Sequence, residues 1–323
     1  MRISNPIIGK SPVLRALMRS IKKIAPTNVN VLILGETGVG KELVAIAIKD
    51  SSLRAEQPYI ALNCAALSLS IIESELFGYC KGAFTGAEIE KTGILTALDG
   101  GTLFLDEVNS LPLVIQGKLL RFIESGEYQS VGAVTPLKSD VRIIAASNES
   151  LMELVKIGEF KLDLYFRLNV IPLTLPPLRE RTTDINLLIN HYLVLFSKKY
   201  SKKAPNINSK VITMLERYPW PGNVRELRNF CEYISIFSYK KTIEPKDMPA
   251  KFLKKYLENS KFDDFYTMPV KGVNWYELEA CLIKQALVLR QGNYKEAAIL
   301  LGITRDRLIY RVKKYRISPI TTS

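Results

Sequence analysis

Val29-Asn30-Val31-Leu32-Ile33-Leu34-Gly35-Glu36-Thr37-Gly38-Val39-Gly40-Lys41-Glu42 is a short apolar run that empties into a glycine-rich loop and then into a helical pattern. Strand, loop and helix in that order is the context a P-loop requires. Glycines let backbone amides converge on phosphate oxygens, and the lysine adds a mobile positive charge near the transferable phosphate. Gly35, Glu36, Thr37, Gly38, Val39, Gly40, Lys41 and Glu42 are therefore the candidate ATP-binding residues. Glu42 stands where Ser or Thr usually holds magnesium, so the loop by itself leaves a nucleotide site and a plain glycine turn both open.

A second segment narrows the choice. Gly100-Gly101-Thr102-Leu103-Phe104-Leu105-Asp106-Glu107 is an apolar strand with two adjacent carboxylates at its C-terminal end. The pair suits a division of labour in which Asp106 holds Mg²⁺ and Glu107 orients and polarises a water. A buried strand followed by a solvated acidic turn explains either acid alone, but not both acids together with the glycine loop in that order. The strand from Val141 to Ala146 runs into Ser147-Asn148, which places Asn148 to reach the same sheet edge and sense a terminal phosphate. Further apolar runs at 59–62 and 170–175, with helical patterns between, predict an α/β fold: a P-loop NTPase parallel sheet sandwiched by helices.

The bulk properties bound the partners. The 323 residues carry a formal charge of +13, which favours a polyanion such as nucleic acid. Cys64, Cys80, Cys231 and Cys281 lack the close pairs of a zinc or redox motif, which points to a reduced, cytoplasmic setting. The lone histidine, His191, excludes a His-rich metal cluster and reads as an ordinary helix residue. No apolar run approaches the ~18 residues that span a bilayer, so no membrane partner is expected.

Between the glycine loop and the acidic pair lies Gly82-Ala83-Phe84-Thr85-Gly86-Ala87. Small and apolar residues with one aromatic ring and one hydroxyl suit neither core nor catalysis. A lone pattern of this kind is ordinarily a flexible linker; set between two halves of a nucleotide site, it reads as a surface built to touch a partner.

From about Thr183 to Met248 strand signals give way to helix signals, with Pro219 and Pro221-Gly222 marking a turn. The predicted boundaries are 1–182 for the α/β subdomain, 183–248 for a helical lid, 249–272 for a linker and 273–323 for an all-α terminus. In that terminus Ala297, Ala298, Leu301, Ile303, Leu308 and Val312 fall at helical spacings broken by Gly302, a helix-turn-helix pattern. Thr304 is placed to cap the second helix, whose outer face offers Arg305, Arg307, Tyr310, Arg311 and Lys314 to a groove or to phosphates of double-stranded DNA. A basic helical hairpin with a solvated face is the bland alternative.

Taken together these residues resemble the central domain of bacterial enhancer-binding proteins, the AAA+ activators of sigma-54 RNA polymerase. The likeness covers nearly the whole chain. It includes the Glu after Lys41, Asn63-Cys64-Ala65-Ala66-Leu67, and Glu73-Ser74-Glu75-Leu76-Phe77-Gly78 running through Lys81 into the Gly82 to Ala87 loop. The resemblance implies an ATPase that forms a ring, a hexamer in the family, and moves this loop against the sigma-54 factor with Phe84 and Thr85 at its tip. It implies that Asn63 restrains Glu107 until the partner engages. Phe160-Lys161-Leu162-Asp163-Leu164-Tyr165-Phe166-Arg167-Leu168 is similar to the segment that supplies arginines to a neighbour's ATP; here Lys161 replaces the first and only Arg167 remains. Lysine lacks the planar fork that grips oxygens bidentately, so the exchange is not neutral.

Leu175 to Arg181 resembles the hinge into the lid, and Trp220-Pro221-Gly222-Asn223-Val224-Arg225-Glu226-Leu227 its sensor segment, which implies that Arg225 reaches nucleotide in cis. Tyr79-Cys80 stands where the family favours His-Glu, and Lys49 where it favours histidine. The terminus resembles the Fis-type DNA-binding domain, with Leu278, Ile283 and Leu287 expected at a dimer interface. Many relatives place a regulatory domain first; none is expected in this sequence, so either control falls to a separate regulatory protein or an upstream domain has been cut away. A rival class, a DNA-binding repressor or scaffold whose nucleotide domain only senses ligand, draws on Lys161, whereas the acids and the contact loop weigh against it.

Overall fold

Strands β1 (Val31–Leu34), β2 (Tyr59–Asn63), β3 (Thr102–Asp106), β4 (Arg142–Ser147) and β5 (Ile171–Thr174) pair in parallel in the order β2-β3-β4-β1-β5. The computed structural model describes residues 7–237, 241–249, 252 and 272–317. Contacts divide the chain into two units, Met1–Tyr256 and Leu257–Ser323. The sheet belongs to the first.

Both sheet faces are covered, which is why its strands read as continuous apolar runs. Along β4 the side chains alternate: Ile144 and Ala146 join Val31, Ile33 and Phe104 under the helices Pro12–Ile24 and Lys41–Asp50. Ile143 and Ala145 join Leu32, Leu103 and Leu105 on the other face, against the helices Leu69–Phe77 and Leu113–Ser125. Each such Val, Leu, Ile or Phe side chain taken wholly from water contributes about 1.5–3 kcal/mol.

Register then builds the site. Leu34 pairs with Ser147 and Asn63 with Asp106, so the strands finish level and Gly35, Glu107 and Asn148 leave the sheet along one edge. Arg142, at the opposite end of β4, is buried and donates to the carbonyls of Ala25 (2.8 Å) and Ile24 (3.3 Å), closing the end of the first helix.

The lid packs helices Ile185–Lys199, Ser209–Arg217 and Asn223–Phe237 around the fully buried Trp220, whose Nε1 donates to the Leu215 carbonyl at 2.8 Å. Its strand content is a correction to the sequence reading. Asn206–Ile207 and Thr242–Ile243 form a two-residue parallel pair, too short to leave any periodicity in the sequence. The expected linker 249–272 lies, apart from residues 249, 252 and 272, outside the described residues.

Among the described residues the second unit holds three helices, Trp275–Leu289, Tyr294–Leu300 and Arg305–Lys314. Asn293 caps the second by accepting from the amides of Lys295 and Glu296, and Gly302, at φ +66°, makes the turn into the third. Ala297, Ala298, Leu308 and Val312 are buried together, as the spacing predicts. Ile283 and Leu287 are buried with them and fill the unit's own core, which corrects their expected place at a dimer interface. A chain this short buries little apolar surface, so those two side chains are needed inside.

Candidate functional site

The P-loop is shaped partly by its own lysine. Lys41, only 7% exposed, donates from Nζ to the carbonyls of Gly35 (2.8 Å) and Glu36 (3.4 Å). Burial lowers its affinity for the proton, while the facing charges of Asp106 and Glu107 oppose that shift and favour the ammonium.

The lid completes the loop. Asn223 is fully buried at φ +51°; its Oδ1 accepts from the Leu178 amide at 2.8 Å, and its Nδ2 donates to Glu36 Oε2 and to the Thr37 carbonyl, both at 3.1 Å. Arg179 forks onto the Glu36 carboxylate at 2.9 and 2.6 Å. Its hydrogen bonds, followed by that of Asn223, hold the Glu36 carboxyl down to about 2. The Arg225 amide donates to the Gly38 carbonyl at 3.2 Å, and Arg181 donates to that of Val39 at 3.0 Å. Gly38, at φ +80°, is obligatory there, because a Cβ would lie 2.5 Å from the Gly222 carbonyl oxygen. Four consecutive P-loop residues are thus tied to the hinge and lid.

A cavity of about 300 Å³ opens above the loop, with Lys41, Asp106 and Glu107 on the sheet side and His191, Arg225 and Arg228 on the lid side. Beside it lies an apolar slot between Ile7, Ile8, Val39, Leu188, Tyr192 and Val224. The segment leading into the first helix is held over this slot by Asp184, whose carboxylate accepts from the amides of Lys10 (2.6 Å) and Ser11 (2.9 Å) and from Ser11 Oγ (2.7 Å). None of the slot residues outside the P-loop was legible as a site residue, because generic apolar residues up to about 200 positions apart meet only in the fold. The apolar character of Ile7-Ile8 directly before a helix start was the available signal. His191, read as an ordinary helix residue, faces the charged cavity.

Asp106 and Glu107 reach the cavity from the end of β3. Glu107 adopts φ +54°, a left-handed conformation rare for a non-glycine residue and typical of functional sites held by their surroundings. Asn63 lies beside Asp106 in the sheet, yet its Oδ1 accepts from the amides of Ala65 and Ala66, at 3.0 and 3.1 Å. Among the described residues it makes no hydrogen bond to Glu107. Asn148 Nδ2 donates to Thr37 Oγ1 at 3.4 Å, while its Oδ1 is buried without a partner. Glu42 lies in the first turn of the helix after the loop and lines the same cavity. Hard oxygen donors from a carboxylate pair facing a phosphate-type loop fit Mg²⁺, which needs few protein ligands when phosphates supply the rest.

Arg167 stands outside this group. It pairs with Glu124 at 3.1 Å on the surface, and its backbone carbonyl accepts from Asn30 Nδ2. Lys161 is the N-cap of the helix Leu162–Leu168 that carries Arg167, its amide donating to Gln116 Oε1 at 2.8 Å.

The candidate contact loop is a closed turn. The Gly82 amide donates to the Ala87 carbonyl at 2.9 Å and the Ala87 amide to that of Phe84 at 3.0 Å. Ala87 is buried, and the 48%-exposed Phe84 ring meets Tyr79 edge-on at 5.0 Å. Ala83, Thr85 and Gly86 complete the rim. The loop springs from a two-residue antiparallel ladder, Gly78–Tyr79 with Lys91–Thr92.

In the second unit Thr304 caps the third helix, its Oγ1 accepting from the Arg307 amide at 3.4 Å. Arg305, Arg307, Tyr310 and Lys314 are exposed. Arg311 is partly committed inside the unit, since its guanidinium pairs with Glu279 at 2.8 Å.

Among the described residues no helix is long and apolar enough to cross a membrane. Three family descriptions match in succession: "Sigma-54 interaction domain" over residues 7–174, "AAA+ ATPase lid domain" over 179–263, and "Bacterial regulatory protein, Fis family" over 276–315. The chain is 41% identical over 317 residues to the regulatory protein AtoC of Escherichia coli K12, with 97% of this chain and 68% of AtoC aligned. It is 42% identical over 321 residues to the transcriptional regulatory protein XylR of Pseudomonas putida, with 95% and 56% aligned. The chain spans about half to two thirds of the length of such curated relatives. A crystal structure of NtrX from Brucella abortus in complex with ATP superposes with a TM-score of 0.72 at 29% identity, over 97% of this chain and 70% of that one. With its five-stranded AAA+ P-loop sheet, its lid and its helix-turn-helix unit, the chain belongs to the sigma-54-dependent transcriptional regulators.

Proposed function

We propose that this protein is an ATP-driven transcription activator that holds upstream enhancer DNA, assembles into a ring, hexameric as the resemblance implies, and remodels the closed complex of sigma-54 RNA polymerase. The observation that carries the reading is the convergence of Lys41, Asp106, Glu107 and Arg225 on one cavity, in the unit that also exposes Phe84 and Thr85.

The apolar slot takes a nucleotide base, and the amides of Gly35 to Lys41 with the Lys41 ammonium take the phosphates. Asp106 holds Mg²⁺, which offsets charge on the phosphates. Glu107 polarises a water for in-line attack, Asn148 senses the terminal phosphate, and Arg225 contacts nucleotide in cis. Arg167, directed away from its own cavity, serves a neighbouring protomer, where one planar fork does what two arginines do in the family. Asn63, bonded to its own turn, is poised one residue from the switch with Glu107. Arg305, Arg307, Tyr310 and Lys314, with the helix fixed by Thr304 and Arg311 shared with Glu279, contact DNA. A separate regulatory protein and a cytoplasmic location complete the proposal.

In vitro transcription on a sigma-54 promoter tests it: opening is expected with ATP and not with a nonhydrolysable analogue. Lys41→Ala and Glu107→Ala should abolish ATP turnover. Thr85→Ala should keep turnover and lose opening; retained opening would remove the loop's role.

A further inference from the structure

The chain has one histidine, and it sits in the nucleotide cavity. The helix Ile185–Lys199 turns Leu188, Ile189, Leu193 and Phe196 into the lid core and leaves His191, Tyr192 and Leu195 on the cavity side. Along that side the surroundings change. Leu188 and Tyr192 border the apolar slot, whereas His191 borders only the charged cavity. The imidazole is half-buried, and its ring meets Tyr192 edge-on at 5.3 Å. Among the described residues neither ring nitrogen has a hydrogen-bond partner, so both are available to a ligand.

The charged and titratable groups that share the cavity are Lys41 and Glu42 from the helix after the P-loop, Asp106 and Glu107 from β3, Arg225 and Arg228 from the second lid helix, and Tyr192 beside the histidine. Lys41, Arg225 and Arg228 thus set three positive charges against the carboxylates of Glu42, Asp106 and Glu107. Polyphosphate entering between P-loop and lid adds several negative charges and shifts that balance toward the protonated ring.

We infer that His191 is a phosphate-binding residue of the lid, which takes up a proton as nucleotide binds and makes affinity fall as pH rises. The inference rests on the nucleotide reading above and extends it. Imidazole is the side chain whose ordinary charge change lies between pH 5 and 8, so the effect falls in the range a cell can traverse. The sign follows from the charged form being the one that grips phosphate: binding is strongest below the titration and weakens above it.

A single histidine makes the test unambiguous. Calorimetric titration of the full chain with Mg-ADP at pH 6 and pH 8, in buffers of different ionisation enthalpy, measures affinity and proton uptake together. The wild type should bind about tenfold more tightly at pH 6 than at pH 8 after the same change in His191→Gln and His191→Asn has been divided out, the size expected of one charge-assisted hydrogen bond. Proton uptake should exceed that of both variants, and the sole imidazole resonance should move when Mg-ADP saturates the wild type. Equal pH dependence in wild type and variants, with an unmoved imidazole resonance at saturation, overturns the inference while leaving the nucleotide site standing. Absence of Mg-ADP binding to the wild type overturns the nucleotide reading and this inference with it.

Discussion

Replacing Asn223 by alanine removes a side chain that joins hinge, P-loop and lid. Three hydrogen bonds go: from the Leu178 amide, and to Glu36 and the Thr37 carbonyl. Leu178 is fully buried, so its stranded N–H costs about 1–3 kcal/mol, while the other two bonds are replaced partly by water and cost about 0.5–1 kcal/mol each. Alanine at φ +51° adds about 1 kcal/mol, because the left-handed region is steeper for alanine than for asparagine. The sum is about 3–6 kcal/mol. For a unit of this size each kcal/mol lowers Tm by roughly 2–4 °C, so thermal denaturation followed by circular dichroism should show a drop of about 6–24 °C. Mg-ADP affinity, measured by calorimetry below the transition, should fall in parallel, since the Thr37 backbone loses its anchor. Asn223→Gly relieves the backbone strain without restoring any bond and should recover about 1 kcal/mol. A loss below about 1 kcal/mol in Asn223→Ala, with unchanged Mg-ADP affinity, would refute the claim that the lid shapes the P-loop.

Further expectations concern the same junction and the terminal unit. Gly38→Ala puts a Cβ 2.5 Å from the Gly222 carbonyl oxygen at φ +80°, so lid and loop must separate and Mg-ADP affinity should fall at least about tenfold by calorimetry. Glu36 is held from an ordinary 4.5 down to about 2, so its contribution to stability is complete above pH 4.5 and disappears as pH falls through 2. Both partners of its ion pair are more than two-fifths exposed, so solvent screens the pair and a double-mutant cycle of Glu36→Gln and Arg179→Ala at pH 7 should show only weak coupling. Thr304→Ala removes a helix cap worth about 1 kcal/mol, and amide exchange across residues 305–314 should quicken about fivefold.

Much of the first unit was legible because its chemistry is contiguous in sequence. Gly35 to Lys41 and Asp106-Glu107 are each local patterns at the end of an apolar run, and parallel pairing brings such ends to one edge whatever lies between them. What escaped was assembled across distance. Tyr192 looks like any amphipathic helix residue until the lid folds over Val39, and Asn223 reveals its role only through partners 45 and 186 positions away. The place of His191 escaped for the same reason, since a histidine between Asn190 and Tyr192 carries no sign of which side of its helix faces the cavity. In the terminal unit, periodicity located the turn at Gly302 and the buried face of the last helix. It did not decide whether Ile283 and Leu287 serve their own core or a second copy, because both uses demand the same spacing.

The contact loop has a companion. The Cys80 amide donates to the Val131 carbonyl at 3.0 Å, the Val131 amide to that of Gly78 at 2.9 Å, and Ser130 Oγ to that of Phe77 at 2.9 Å. These bonds lash the base of the 82–87 turn to a second hairpin, Glu127–Tyr128 with Leu137–Lys138, whose crest carries the almost wholly exposed Val134. The two behave as tines of one fork. A load on the Phe84 tine is shared through the backbone with its twin, so stiffness at the crown does not depend on either hairpin alone, and severing the lashing would soften the Phe84 turn without altering a single residue at its tip.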